Sequence, residues 1–208
     1  MKTAPFQTHT DQYEAWFESF EAAYQSEVDA LGELRAPASR SLEVGVGTGR
    51  FAEPLDVEYG VEPAPEMLAR ALDRGVEGMR GVGEHLPIQS NSVDLVLMVT
   101  TVCFFEDLQG ALAEAHRVLR PGGQILLGYI DRESRVGKQY QAIKDENPFY
   151  REATFLTTAE LQDGLAQAGF DNFQTRQTIF SMPDELSEPD PVREGTGEGS
   201  FVALSAVA

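Results

Sequence analysis

An apolar run that closes on alternating glycines sets the frame for this chain: Leu42-Glu43-Val44-Gly45-Val46-Gly47-Thr48-Gly49-Arg50. The run reads as a strand, and the glycines as a turn that opens toward a helix. Glycine accepts positive φ and lets a ligand approach the backbone, so such a turn suits the ligand-binding edge of an α/β sheet. Taken alone it is also compatible with a tight turn that binds nothing. A dinucleotide fingerprint needs Gly-x-Gly-x-x-Gly. Here Arg50 stands where the third glycine belongs. A pyrophosphate is thereby disfavoured, and a nucleoside without phosphates suits the turn better.

The surroundings continue the pattern. Short apolar runs follow at Val57 to Glu62, weakly at Val76 to Val82, at Val93 to Val99 and at Gln124 to Ile130. Near-continuous apolar runs predict strands buried on both faces of a parallel sheet. Helical patterns lie between them at Pro65 to Arg74 and Leu108 to Leu119, the second stopped by Arg120-Pro121-Gly122-Gly123. The expected fold class is α/β, a doubly wound, Rossmann-like, mostly parallel sheet with right-handed crossovers. The first crossover is short and contains Pro54, so its helix should run one or two turns.

Both ends add to this core. Tyr13, Trp16, Phe17, Phe20, Tyr24, Val28 and Leu31 recur at helical steps, predicting one N-terminal helical segment over 10–35, capped by Thr10 or Asp11. Residues 131–156 are charged and aromatic and read as a cap insertion, with Tyr140, Phe149 and Tyr150 as candidates to line an acceptor pocket. A helix from Thr157 or Thr158 to Ala168 follows, then β character over Phe170 to Ile179, an exposed loop over 183–199 and a last strand at Ser200 to Val207. The chain end is thus expected as an antiparallel hairpin added to the sheet edge. The whole, 1–208, reads as a single domain, and at this size it can bury about 70% of its unfolded surface.

Composition narrows the function. With 16 Lys and Arg against 34 Asp and Glu, the net charge is -18. Phosphate backbones and anionic bilayers select basic surfaces, so neither nucleic acid nor a membrane is an expected partner. The start of the chain lacks the apolar core of a signal peptide, and no run approaches the ~20 apolar residues of a membrane span. The single cysteine, Cys103, excludes an intrachain disulfide and a thiolate zinc cluster, which fits a cytoplasmic location and no metal. Cys103 itself reads as a structural thiol.

Glu62, at the tip of the second run, can accept hydrogen bonds from both hydroxyls of a ribose. With the glycine turn, this reaches a recognisable set of motifs. The chain resembles the class I S-adenosylmethionine-dependent methyltransferases, type 11 group, from about Ser41 to Tyr129. Glu43 to Gly49 is similar to the family's first motif and Gly60-Val61-Glu62-Pro63-Ala64-Pro65-Glu66-Met67 to its second. Gly81-Val82-Gly83-Glu84-His85-Leu86-Pro87 resembles the adenine-side loop, Ser92 to Leu97 the fourth strand, and Arg117 to Gly123 the turn into the fifth.

The resemblance implies S-adenosylmethionine as cofactor, S-adenosylhomocysteine as product, and roles for particular residues. Glu43 would orient the methionine amino group. Gly45, Gly47 and Gly49 would face the methionyl and ribose parts, and Glu62 the ribose. Pro63 and Met67 would pack on the adenine, with Gly83 and Glu84 at its edge. Val99 and Thr100 would contact the methionyl moiety and flank the methyl group. Thr100, Phe104 and His85 are the candidates for positioning an acceptor. Val82 departs from the family, which commonly has an acid there, leaving the adenine amino group to Glu84 or the backbone. Tyr13 or Trp16 would roof the site and His9 would serve as a lid residue, whereas His116 is expected on an exposed helix face.

The reading that follows is methyl transfer to a small-molecule acceptor by in-line displacement. The alternatives are a non-catalytic module that binds S-adenosylmethionine or S-adenosylhomocysteine, and a nicotinamide-dependent oxidoreductase. Arg50 argues against the last, and the Tyr-x-x-x-Lys spacing at Tyr140 and Lys144 reads as coincidence.

Overall fold

Alternate residues of the fourth apolar run are buried on opposite faces, which makes this run the spine of the molecule. In the computed structural model, which describes residues 4–208, that run is strand β4 (Val93–Val99). Val96 and Met98 pack in one core, and Leu95, Leu97 and Val99 in another. The start of the expected domain, residues 1–3, including the opening of the segment read as lacking a signal peptide, lies outside the described residues.

Around β4 run β1 (Ser41–Val44), β2 (Tyr59–Glu62), β3 (Glu77–Arg80), β5 (Leu119–Ile130), β6 (Asp171–Thr178), β7 (Arg193–Glu194) and β8 (Phe201–Val207). The eight-stranded sheet has the order β3-β2-β1-β4-β5-β8-β6-β7. The first five strands are parallel, and the last three pair antiparallel. Helices cover both faces: α1 (Ala4–Thr8), α2 (Thr10–Ser19), α3 (Glu21–Leu34), α4 (Pro65–Asp73), α5 (Leu108–Val118), α6 (Arg135–Ala142) and α7 (Thr158–Gln167). Helices α5 and α7 bury Ala111, Leu112, Ala115, Leu161 and Leu165 in one core, while α3 supplies Ala23, Val28, Ala30 and Leu31 to the other. This is the Rossmann-like fold expected.

Local chemistry sets the helix starts. Asp107 accepts from the Gly110 amide at 2.9 Å to begin α5. Ser134 accepts from the Gly137 amide at 3.0 Å to begin α6. Thr157 and Glu160 form a reciprocal capping box at α7.

Several expectations need correction. The N-terminal helical segment is broken at Phe20, whose φ of -126° and ψ of 47° leave helical space. The aromatic repeat runs on through the break, which is why a single helix was expected. Neither Thr10 nor Asp11 caps α2, because α1 precedes it and the Thr10 hydroxyl turns back to the Phe6 carbonyl at 2.8 Å. The first crossover holds no helix. Residues 51–56 form turns with isolated helical bonds, such as Leu55 N to Phe51 O at 3.2 Å. Pro54 has no amide to continue them, and Asp56 reverses the chain at φ 50°.

The C-terminal hairpin is present, but its last strand lies inside. Strand β8 sits between β5 and β6, and β7, from the expected loop, forms the edge. Phe201, Val202, Ala203 and Leu204 are all fully buried, so the strand that is apolar on both faces takes the interior place. His116 is half-buried, with its ring edge-on to Phe170 at 5.0 Å.

Candidate functional site

A cavity of about 220 Å³ opens at the carboxyl ends of β1, β2, β4 and β5. The sheet order changes direction between β1 and β4, and doubly wound sheets bind ligands outside the strand ends at such a point. The lower wall comes from Gly45 and Gly47 after β1, Glu62 and Pro63 after β2, Met67 of α4, and Val99 and Thr100 at the end of β4. The roof comes from elsewhere in the chain. It includes Tyr13, Trp16 and Phe17 of α2, Phe6 of α1, and Tyr140, Phe149 and Tyr150 of the cap.

The glycine turn is shaped by contacts as much as by backbone freedom. Gly45 has φ 73°, and a Cβ there would lie 2.3 Å from the Thr101 hydroxyl. At Gly47 a Cβ would come into van der Waals contact with the Tyr13 hydroxyl at 3.4 Å and Met67 at 3.5 Å, filling the cleft between turn and roof. Gly49 faces away from the cavity, and its bare backbone admits Ala71 and Val76. Its part is helix packing.

Glu62 joins the two strand tips. Its Oε2 accepts from the Gly47 amide at 3.0 Å, and its Oε1 accepts from the Ala64 amide at 2.9 Å. Burial raises its carboxyl above the usual range, while these two amides pull the other way. Glu43 lies deeper, 1% exposed, and its Oε2 has no hydrogen-bond partner among the described residues. Burial, reinforced by the nearby Glu62 charge, pushes the Glu43 carboxyl well up. A buried acceptor without a donor is costly, and an ammonium donor arriving in the cleft would relieve it.

The roof is fastened from outside. Glu14 of α2 accepts from Arg50 at 2.6 Å and from Arg74 at 2.6 Å, and Arg74 also donates to the Thr48 carbonyl at 2.6 Å. The Arg50 guanidinium lies over the Phe17 ring, 5.3 Å from its centre.

The expected residues divide clearly. Gly45, Gly47, Glu62, Pro63, Met67, Val99, Thr100 and Phe104 come together on the cavity wall. Tyr13, Trp16, Tyr140, Phe149 and Tyr150 face them. Thr100 is held at φ 50° with its amide on the Gly128 carbonyl at 2.7 Å, so its backbone is fixed where β4 meets the cavity.

Glu43, Gly49, Gly83, Glu84 and His85 do not join this wall. A Cβ on Gly83 would strike the Phe105 ring at 2.5 Å, so this glycine serves packing behind β1. Glu84 takes the Glu106 amide at 3.0 Å. His85 is exposed and pairs backbone to backbone with Val82. His9 is exposed at the junction of α1 and α2, with its ring 6.1 Å from Phe149. Cys103 is a free thiol, partly buried among Phe104, Ala153 and Phe155. The Tyr140–Lys144 spacing makes no pair, since Lys144 donates to the Ala153 carbonyl and Tyr140 stacks on Tyr150.

Several wall residues escaped the sequence reading, among them Phe6 and Glu27. Phe6 sits on a five-residue helix too short to show a period. Glu27 is a buried acid of α3 that reaches the cavity. Its only signal was an acid four residues from Ala23 and from Leu31, inside an apolar stripe.

The fold and the cleft together define a nucleoside-binding α/β transferase, and comparison with known proteins agrees. Residues 42–127 match the family model described as "Methyltransferase domain". A crystal structure from Thermotoga maritima, described as a SAM-dependent methyltransferase, possible histamine N-methyltransferase, superposes with a TM-score of 0.97. It is 44% identical and is covered to 99% in both chains. An uncharacterised protein of Methanocaldococcus jannaschii is 41% identical over 201 residues, 97% of each chain. A phosphoethanolamine N-methyltransferase 2 of Haemonchus contortus, solved with S-adenosyl-L-methionine, shares the fold alone. Its TM-score is 0.63 at 15% identity, covering 88% of this chain and 52% of that one.

The chain belongs to the class I S-adenosylmethionine-dependent methyltransferases, type 11 group. Its cofactor is S-adenosylmethionine. The unpartnered Glu43 oxygen and the cavity beside Gly47 and Glu62 fit the amino group and the nucleoside of that molecule.

Proposed function

We propose that the protein transfers the methyl group of S-adenosylmethionine to a small-molecule acceptor by in-line displacement. The observation that carries this reading is the roofed cavity. Its floor is the glycine turn and Glu62, and its other half is walled by aromatic side chains from α1, α2 and the cap. A cavity of about 220 Å³ suits a small acceptor, and the net charge of -18 repels nucleic acid.

S-adenosylmethionine supplies an activated methyl on a sulfonium. The chain's own work is placement, because alignment of nucleophile and methyl is worth several kcal/mol of barrier. In this reading Glu62 receives the ribose hydroxyls on the lone pairs left free by Gly47 and Ala64. Glu43 takes the amino group, and Pro63 and Met67 bound the adenine. The fixed backbone at Thr100 and the rings of Phe104 and Tyr13 bound the space where methyl and acceptor meet. The aromatic roof excludes water. Phe104 and Thr100 act as positioning residues, whereas His85 is too far out on its loop to serve. The chain acts as one methyltransferase domain over 1–208, and the lone Cys103 suits a cytoplasmic location. Among the described residues, no helix is long and apolar enough to cross a membrane.

Transfer of label from methyl-labelled S-adenosylmethionine to a panel of small acceptors tests the reading. Histamine is an obvious first member, given the description of the Thermotoga maritima neighbour. Product in the small-molecule fraction is the expected result. Cofactor binding with no transfer to any small molecule would favour a non-catalytic binding module instead.

A further inference from the structure

We propose that Glu27 selects the methyl acceptor, and that this acceptor carries a basic nitrogen, cationic at neutral pH, which the Glu27 carboxylate binds in the aromatic half of the cavity. The inference rests on the methyltransferase reading above and names the acceptor class for it.

Helix α3 packs Ala23, Ala30, Leu31 and Leu34 against the sheet, and Glu27 interrupts that apolar face. Its residue is 3% exposed and lies on the cavity wall. No described residue donates a hydrogen bond or an ion pair to its carboxylate. Buried acids are normally paired, because an unpaired charge in a low-dielectric interior is strongly disfavoured. A fold that keeps one unpaired at a cavity leaves room for a ligand to bring the partner.

The neighbours point to the sign of that ligand. The titratable groups that feel the Glu27 charge are phenols: Tyr13 from α2, Tyr24 from α3 itself, Tyr140 from α6 and Tyr150 from the cap. None of these carries positive charge. No Lys or Arg lines the cavity among the described residues, and Arg50, Arg74 and Lys144 are engaged elsewhere, the first two on Glu14 and the third on the Ala153 carbonyl. Aromatic faces of Trp16, Tyr140 and Tyr150 complete the wall, and such faces attract organic cations.

Glu62 and Glu43 do not compete for this role. Glu62 is tied to the Gly47 and Ala64 amides, and Glu43 sits on β1 beneath the glycine turn. Burial pushes the Glu27 carboxyl up to about 8, so it holds its proton in the empty cavity. A cation bound beside it displaces that proton. A purely structural, neutral Glu27 would show no such exchange.

The experiment is calorimetry on the full chain saturated with S-adenosylhomocysteine, titrated with phenethylamine, 2-phenylethanol and 3-phenylpropionate. Runs at pH 7 in two buffers of different ionisation enthalpy report proton release. Wild type should bind the amine at least about tenfold tighter than the neutral and anionic probes, with release of about one proton. Glu27→Gln should lose both the preference and the release while its S-adenosylhomocysteine affinity stays within about twofold. Glu27→Asp should keep the preference in part. Equal binding of the three probes to wild type would overturn the proposal. So would amine binding with unchanged proton release in Glu27→Gln. Failure of wild type to bind S-adenosylhomocysteine at all would instead overturn the cofactor assignment, and this proposal with it.

Discussion

Glu14 of α2 accepts hydrogen bonds from Arg50 at 3.1 and 2.6 Å, clasping the roof helix to the end of the glycine turn. The residue that excludes a pyrophosphate fingerprint is therefore also the residue that holds the lid down. Burial works against an ionised Glu14, but the bonds from Arg50 and Arg74 outweigh it and keep the carboxyl below its usual range. Removing it with Glu14→Ala strands two part-buried guanidiniums. We expect a loss of about 1–2 kcal/mol in urea denaturation, discounted for their partial exposure, and weaker S-adenosylhomocysteine binding as α2 loosens. Unchanged stability and affinity would mean the clasp is ornamental.

Gly45 and Gly75 both have positive φ, 73° and 88°, but their surroundings differ. A Cβ at Gly45 collides with the Thr101 hydroxyl, whereas one at Gly75 meets nothing within 4 Å. Gly75→Ala should thus cost only the backbone strain, about 1–2 kcal/mol. Gly45→Ala should cost more and reshape the cleft. Thermal unfolding of the two variants side by side checks the order, and equal losses would argue that Thr101 simply moves aside.

The raised Glu27 carboxyl makes a prediction about pH. Between the ordinary value of 4.5 and about 8, the unfolded chain releases this proton while the folded chain keeps it. Its contribution to stability is therefore complete below the lower value and is lost as pH rises through the upper one. Glu27→Gln removes this dependence. Against wild type without ligand, the variant should gain stability from pH 5 to about pH 8 and level off above it, by about a few kcal/mol in all. Parallel denaturation curves across that range measure it, and a constant difference between the two proteins would contradict it.

How much of this was legible in the chain depends on the element. Strand β4 could be read because burial on both faces demands a near-continuous apolar run, broken here only by Asp94, and Glu62 because it ends a strand beside the glycine turn. The cap aromatics declared themselves by composition. The break at Phe20 did not, because the aromatic period continues across it. Motif likeness located the loop of Gly83, Glu84 and His85, but it carries no information on how the loop packs, and the three residues stay off the cavity wall. Glu27 was hidden for the opposite reason. One acid in a helical stripe says nothing until the fold shows that its face meets a cavity. The inner place of β8 follows from its burial on both faces, which a strand at the chain end could equally well have lacked.

The central claim is that S-adenosylmethionine sits over the glycine turn with its ribose on Glu62. Calorimetric titration of S-adenosylhomocysteine into wild type and Glu62→Ala tests it most directly. The account predicts micromolar binding to wild type and a loss of about 10- to 100-fold in the variant, the range expected when hydrogen bonds to a charged group are removed. A folded variant that binds as tightly as wild type, or a folded, ligand-free wild type that binds neither S-adenosylhomocysteine nor S-adenosylmethionine, would contradict it.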